Sequence, residues 1–142
     1  MNILVDSGFL IALFASSATD KHHDSAVLAR KKYWNAKLHT LWECVAEASH
    51  QLNTQGRKAL LEWLARQERI IVHSTNISEL REMSLYMTKY ANASKYKGAD
   101  ITDVALVFLG ARLKTNNIFT VDIEDFETYK TLSGKNFTRL WM

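Results

Sequence analysis

Acidic side chains carry the chemistry this sequence offers, and they concentrate in one stretch. Between Gly98 and Phe126, in GADITDVALVFLGARLKTNNIFTVDIEDF, the aspartates Asp100, Asp103, Asp122 and Asp125 flank an apolar run. Its first half is helical in pattern: Ile101, Val104, Ala105, Leu106, Phe108, Leu109 and Leu113 recur at three- and four-residue intervals. Asp100 and Asp103, three apart in the first turn, then project together toward the helix N-terminus. The second half, Ile118-Phe119-Thr120-Val121, reads as a strand that begins after the turn-like Thr115-Asn116-Asn117 and stops at Asp122. In an open α/β sheet, the carboxyl ends of strands are where ligands bind. Helix capping, dipole complementation or a turn suffices to explain each acid taken alone. Convergence of acids from elsewhere in the chain is what favours a site.

Two further elements supply such acids. Asn2-Ile3-Leu4-Val5 is an apolar run cut off by Asp6-Ser7-Gly8 before Phe9, Leu10, Ala12, Leu13 and Phe14 resume at helical spacing. An apolar run of this kind suits a central parallel strand covered on both faces, with Asp6 at its carboxyl end. Lys37 to Leu41 reads as a short second strand, followed by a helix from about Trp42 into Leu52. On that helix Glu43 is assigned to a solvated face, whereas Glu47, between Ala46 and Ala48, lies deeper in the apolar pattern and is the better candidate to face a crevice.

The remaining chain must position these acids. Ala26 through Trp34 reads as an amphipathic helix, Asn53-Thr54-Gln55-Gly56 as a helix end, and Arg57 through Gln67 as another helix. Ile70 to His73 is a third strand, Ser78 to Tyr90 a further helix, Ala91 to Lys97 a polar, basic loop, and Phe137 to Trp141 a last strand. The alternation predicts an α/β fold, one domain spanning residues 1–142, with a doubly wound, mostly parallel sheet of four or five strands flanked by helices.

Composition narrows the setting. The chain has 142 residues, 47% of them apolar and 23% charged, a formal charge of +3, no proline and one cysteine. Without proline, chain breaks rest on Gly, Asn, Asp and Ser. The lone Cys44 excludes an intramolecular disulfide and a thiolate metal site, and is expected to be a small core hydrophobe. No basic segment precedes the first apolar run, and no apolar segment approaches the ~18 residues of a membrane span, so a cytoplasmic protein is expected. His22 and His23 are adjacent and do not share a helix face, which argues against a metal pair.

Carboxylates that share one pocket repel one another and raise each other's pKa unless a cation is present. Oxygen-only ligation points to Mg²⁺ or Mn²⁺, and such an ion suits hydrolysis of a nucleic-acid backbone. At these residues the chain resembles the PIN domain nucleases, in particular the VapC-type toxins of toxin-antitoxin pairs. LVDSGFLIALF is similar to the family's start, with Asp6 as first acid; TLWECVAEASHQL resembles the segment carrying the second, Glu47; GADITDVALVFLGARL resembles the helix with Asp100 and Asp103; FTVDIEDFETY resembles the strand-end TxD…DF motif, with Asp122 as last acid and Asp125 in a supporting or structural place. Val104 and Glu43 depart from the residues frequent in the family, and neither removes a ligand.

The resemblance implies a Mg²⁺- or Mn²⁺-dependent endoribonuclease, with Asp6, Glu47, Asp103 and Asp122 catalytic and Asp100 joining them as metal ligands. It implies an RNA substrate, a cognate antitoxin and a homodimer, with no membrane association. The alternative from another class is a catalytically inactive PIN-like module for nucleic-acid binding or assembly. A phosphoaspartyl receiver or phosphatase is disfavoured, because only Asp6 follows the first strand, ahead of Ser-Gly-Phe.

Overall fold

The computed structural model describes residues 1–91 and 99–142, so the basic loop expected over Ala91 to Lys97 lies, beyond its first residue, outside the described residues. Five strands form one sheet in the order β3-β2-β1-β4-β5: β1 (Asn2–Val5), β2 (Lys37–Leu41), β3 (Ile70–His73), β4 (Asn117–Phe119) and β5 (Thr138–Arg139). Every pairing is parallel, with Ile3 opposite Leu38, Leu4 opposite Ile118 and Leu38 opposite Ile70. Ile3, Leu4 and Val5 are wholly buried, as expected of a central strand covered on both faces. The strand order reverses direction between β1 and β4. At such a switch point the connections leave to opposite faces, and a crevice opens at the carboxyl ends.

The connections are helices: α1 (Ser7–Phe14), α2 (His23–Lys32), α3 (Trp42–Gln51), α4 (Thr54–Arg66), α5 (Leu80–Lys89), α6 (Ile101–Leu113) and α7 (Ile123–Thr128), with a 3₁₀ turn at Ile77–Glu79. Helix α6 is buried almost continuously from Asp103 to Gly110. Its close approach depends on Gly110, where a Cβ would come within 2.9 Å of the Thr115 carbonyl and 3.0 Å of Leu4 Cδ1. Phe9 stacks on Phe119 with ring centroids 4.6 Å apart, and Trp141 meets Phe9 edge-on at 5.0 Å. These contacts tie α1, β4 and the C-terminal residues into one apolar core behind the acids.

Three expectations about elements are corrected. Asn53 to Gly56 does not end a helix; Asn53 caps α4, its side chain accepting from the Gly56 N–H at 2.8 Å. The β4 ladder stops at Phe119 and does not reach Val121; Thr120 lies just beyond it, its hydroxyl bonded to Asp6 and to the Asp122 N–H. Helix α7 stands where only turn residues are expected: its six residues bury just Phe126, too little for a helical period to show in the sequence.

Candidate active site

Asp6 follows β1 and begins α1. Its own N–H donates to the Phe119 carbonyl at 3.3 Å, which extends the β1–β4 pairing up to the acid. Its Oδ1 caps α1 by accepting from the Phe9 N–H at 3.0 Å, and Oδ2 accepts from the Thr120 hydroxyl. The same Thr120 oxygen accepts from the Asp122 N–H at 2.9 Å. Thr120 is therefore a hinge pin between the acids that end β1 and β4. Its place in the TxD pattern marks it in the sequence, but composition alone assigns it no role. Gly8 permits this closeness: a Cβ there would meet Val121 Cγ2 at 2.5 Å and press on the residue between Thr120 and Asp122. From the far side, the buried Thr40 donates to the Val5 carbonyl at 2.8 Å and fixes β2 against the base of the site.

Asp103 lies in the first turn of α6 and is 8% exposed. Asp100 is not in that turn but is the exposed N-cap, its Oδ1 accepting from the Asp103 N–H at 2.9 Å. Asp122 holds the cap position of α7 yet makes no side-chain capping bond, so its carboxylate remains available. Asp125, one turn into α7, comes alongside. One oxygen from each of Asp103, Asp122 and Asp125 lies within 4.8 Å of the others. Sequence reasoning places the first two here and gives Asp125 a lesser part. The missed signal is its spacing of three from Asp122, which shares a face only once α7 is known to be a helix.

Burial dominates the electrostatics. Loss of water raises the Asp6 carboxyl to about 7, opposed by the Thr120 and Phe9 bonds and reinforced by Asp122 and Glu47. Loss of water raises Asp103 to about 8, with Asp100, Asp122, Asp6 and Asp125 adding to it. Asp122 and Asp125 are raised in the same way, first by burial and then by neighbouring carboxylates. Mutual elevation of this kind marks acids that share one space. Tyr129, 1% exposed, closes the apolar side; its hydroxyl has no hydrogen-bond partner among the described residues, and burial first, then Asp103, Asp125, Asp100 and Asp122, help to hold its proton on.

The two glutamates of α3 exchange environments relative to expectation. Glu43 is not on a solvated face: it is half-buried and accepts from the Thr75 hydroxyl. Glu47 is exposed, but it faces the crevice, since its charge acts on both Asp6 and Asp122. Asp6, Asp100 and Glu47 thus surround the close trio without belonging to it. Cys44 is wholly buried beneath, its thiol pushed up to about 12 by burial and the nearby acids, which makes it inert. The histidines are structural: His23 Nδ1 bonds the Ala12 carbonyl at 2.8 Å, and His22 packs edge-on to Trp141 at 5.9 Å.

A hard divalent cation fits this donor set. The trio is all oxygen, and two oxygens on one Mg²⁺ at about 2.1 Å stand at most about 4.2 Å apart, so only a small adjustment separates the carboxylates from a shared ion. A cation would also offset the burial and the repulsion that together raise Asp6 and Asp103.

The all-parallel five-stranded sheet, with acids gathered at its switch point, is a fold also seen in a solved toxin structure. The crystal structure of VapC20 from Mycobacterium tuberculosis, a toxin that cleaves the sarcin-ricin loop, superposes on this chain with a TM-score of 0.63 over 84% of this chain and 89% of that one. Sequence identity across the match is 17%, so the likeness is one of fold. No family model matches the sequence. No curated protein matches it either. Among the described residues, no helix is long and apolar enough to cross a membrane.

Proposed function

We propose that this chain is a divalent-metal-dependent endoribonuclease, the toxin of a type II toxin-antitoxin pair. The observation that carries the reading is the convergence of Asp6, Asp103, Asp122 and Asp125 on one crevice, where burial and mutual repulsion raise their carboxyl pKa values. Glu47 and Asp100 complete the ring of acids, and the fold shared with a sarcin-ricin-loop-cleaving toxin supports RNA as the substrate.

Asp103 and Asp122 would hold Mg²⁺ or Mn²⁺ together with Asp125, with Asp6, Glu47 and Asp100 directed at its bound waters or joining as ligands. When bound, such an ion supplies an activated water and positive charge against the phosphate. The chain's own residues do the rest. Asp6, fixed at both oxygens by Phe9 and Thr120, keeps one orientation through the cycle. Thr120 holds Asp122 in register with it. Buried Asp103, raised by burial and by its neighbours, would serve as a carboxylate ligand once positive charge stood beside it, so protons compete with the cation for this site. A cytoplasmic homodimer restrained by a small antitoxin belongs to the same reading. An antitoxin arginine would suit the crevice, because a guanidinium bonds two carboxylate oxygens at once.

Incubation with ribosomal RNA in Mn²⁺, read on a sequencing gel, tests the proposal. Cleavage should occur at few positions, vanish with chelator, and be lost in Asp122→Asn and Glu47→Gln, while Glu43→Gln remains active. Cleavage undiminished by chelator, or unaffected in both of the first two variants, refutes it.

A further inference from the structure

A basic groove lies at the opposite end of the sheet. About 340 Å³ in volume, it is lined by Arg30 and Lys31 from the last turn of α2, Trp34, Arg66 at the end of α4, and Glu68 and Arg69 just before β3. Buried Trp63 forms part of its wall. The four cations are exposed, and none forms a salt bridge among the described residues. The lining residues precede β2 and β3, whereas the acids follow β1 and β4. In a parallel sheet these are opposite ends, and at about 3.3 Å per residue a five-residue strand such as β2 keeps them roughly 17 Å apart.

Trp34 distinguishes this groove from a merely charged surface. It is 67% exposed, and the Arg69 guanidinium sits over its ring at 5.7 Å. Four cations against one acid fit a polyanion. An exposed indole already carrying an arginine on its ring is a stacking platform, which an acidic polypeptide would not use but a nucleobase would. We propose that this groove is a second, non-catalytic binding site for single-stranded RNA, contacting phosphates through Arg30, Lys31, Arg66 and Arg69 and stacking a base at Trp34. The choice of RNA among nucleic acids rests on the nuclease reading. The consequence is that the acidic crevice, which repels phosphates until a cation is bound, need not capture substrate unaided.

Fluorescence anisotropy with a labelled single-stranded oligouridylate, in chelator so that nothing is cleaved, tests the groove. Affinity should fall about tenfold in Trp34→Ala with the salt slope unchanged. Arg66→Gln/Arg69→Gln should weaken binding and flatten the log-log salt slope by about 0.7 for each lost phosphate contact. Arg66→Lys/Arg69→Lys keeps the charge and should keep the slope, which separates lost contacts from lost folding. Wild-type binding by both Trp34→Ala and the glutamine pair overturns the proposal. So does displacement of the RNA by polyglutamate with Trp34→Ala indifferent, which would assign the groove to an acidic protein segment. Cleavage plays no part in the measurement. A protein that binds here but never cuts RNA overturns the nuclease reading alone, and an active nuclease whose binding ignores these residues overturns the groove alone.

Discussion

Asp103→Asn should make the metal-free protein more stable at neutral pH, although it removes a residue assigned to the active site. The Asp103 carboxyl rises from an ordinary 3.8 to about 8 in the fold, chiefly through burial. In the window between those values the folded state holds a proton that the unfolded state has released. Stability from this group is therefore complete below pH 4 and is lost progressively as the pH rises toward 8. About three tenfold steps of proton affinity lie between 3.8 and pH 7, each worth about 1.4 kcal/mol, so the cost at pH 7 is on the order of 4 kcal/mol. Asparagine carries no ionisable proton and escapes that cost. Urea denaturation in chelator at pH 5 and pH 8 reads the effect. Asp103 alone should cost wild type on the order of 4 kcal/mol between the two, and Asp103→Asn should lack that part, its residual slope coming from the other raised carboxyls, Asp6 first. Mn²⁺ at ~100 times its dissociation constant should return about 2.7 kcal/mol to wild type at pH 8 and little to the variant. Parallel pH slopes for the two proteins, or equal stabilisation by Mn²⁺, would show that Asp103 is not a buried, shared carboxyl.

Two further substitutions probe the supports of the site. Thr120→Val keeps the volume but leaves an Asp6 oxygen and the Asp122 N–H without their partner; it should lower stability by about 1–3 kcal/mol and weaken Mn²⁺ binding in calorimetry, and unchanged Mn²⁺ affinity would remove Thr120 from the site. Tyr129→Phe deletes a buried hydroxyl that has no partner among the described residues, so thermal melts should show stability unchanged or raised by up to about 2 kcal/mol; a clear loss would mean that the hydroxyl is bonded in solution.

How much of this was legible depended on how much each element buries. Strands β2 and β3 fall where apolar runs predict them, and β1 is central because Ile3, Leu4 and Val5 leave no polar face for water. Asp6, Asp103 and Asp122 are readable because each stands where an apolar run begins or ends. The part of Asp125 is not legible in the sequence, because α7 is too short to show a period and its face is set by packing of Phe126 and Tyr129. The α3 glutamates misled for a related reason. Glu43 is drawn inward by Thr75, a residue from the loop after β3 that no helical pattern anticipates, and Glu47 faces a crevice that remains open to water.

One geometric rule accounts for both ends of the molecule. In a parallel sheet the connecting helices run against the strands, so their N-termini gather at the carboxyl end and their C-termini at the other. Helices α1, α6 and α7 all begin among the acids, and their exposed N–H groups offset carboxylate repulsion; Asp6 and Asp100 take two of those N–H groups directly. Helices α2 and α4 end at the opposite pole, where Arg30, Lys31, Lys32 and Arg66 occupy last turns and complement the carbonyl ends. The formal charge of +3 thus averages a negative pole and a more strongly positive one. Dipole complementation explains why cations collect there, but it requires neither an exposed tryptophan among them nor a groove open to solvent. Those two features are what a ligand requires.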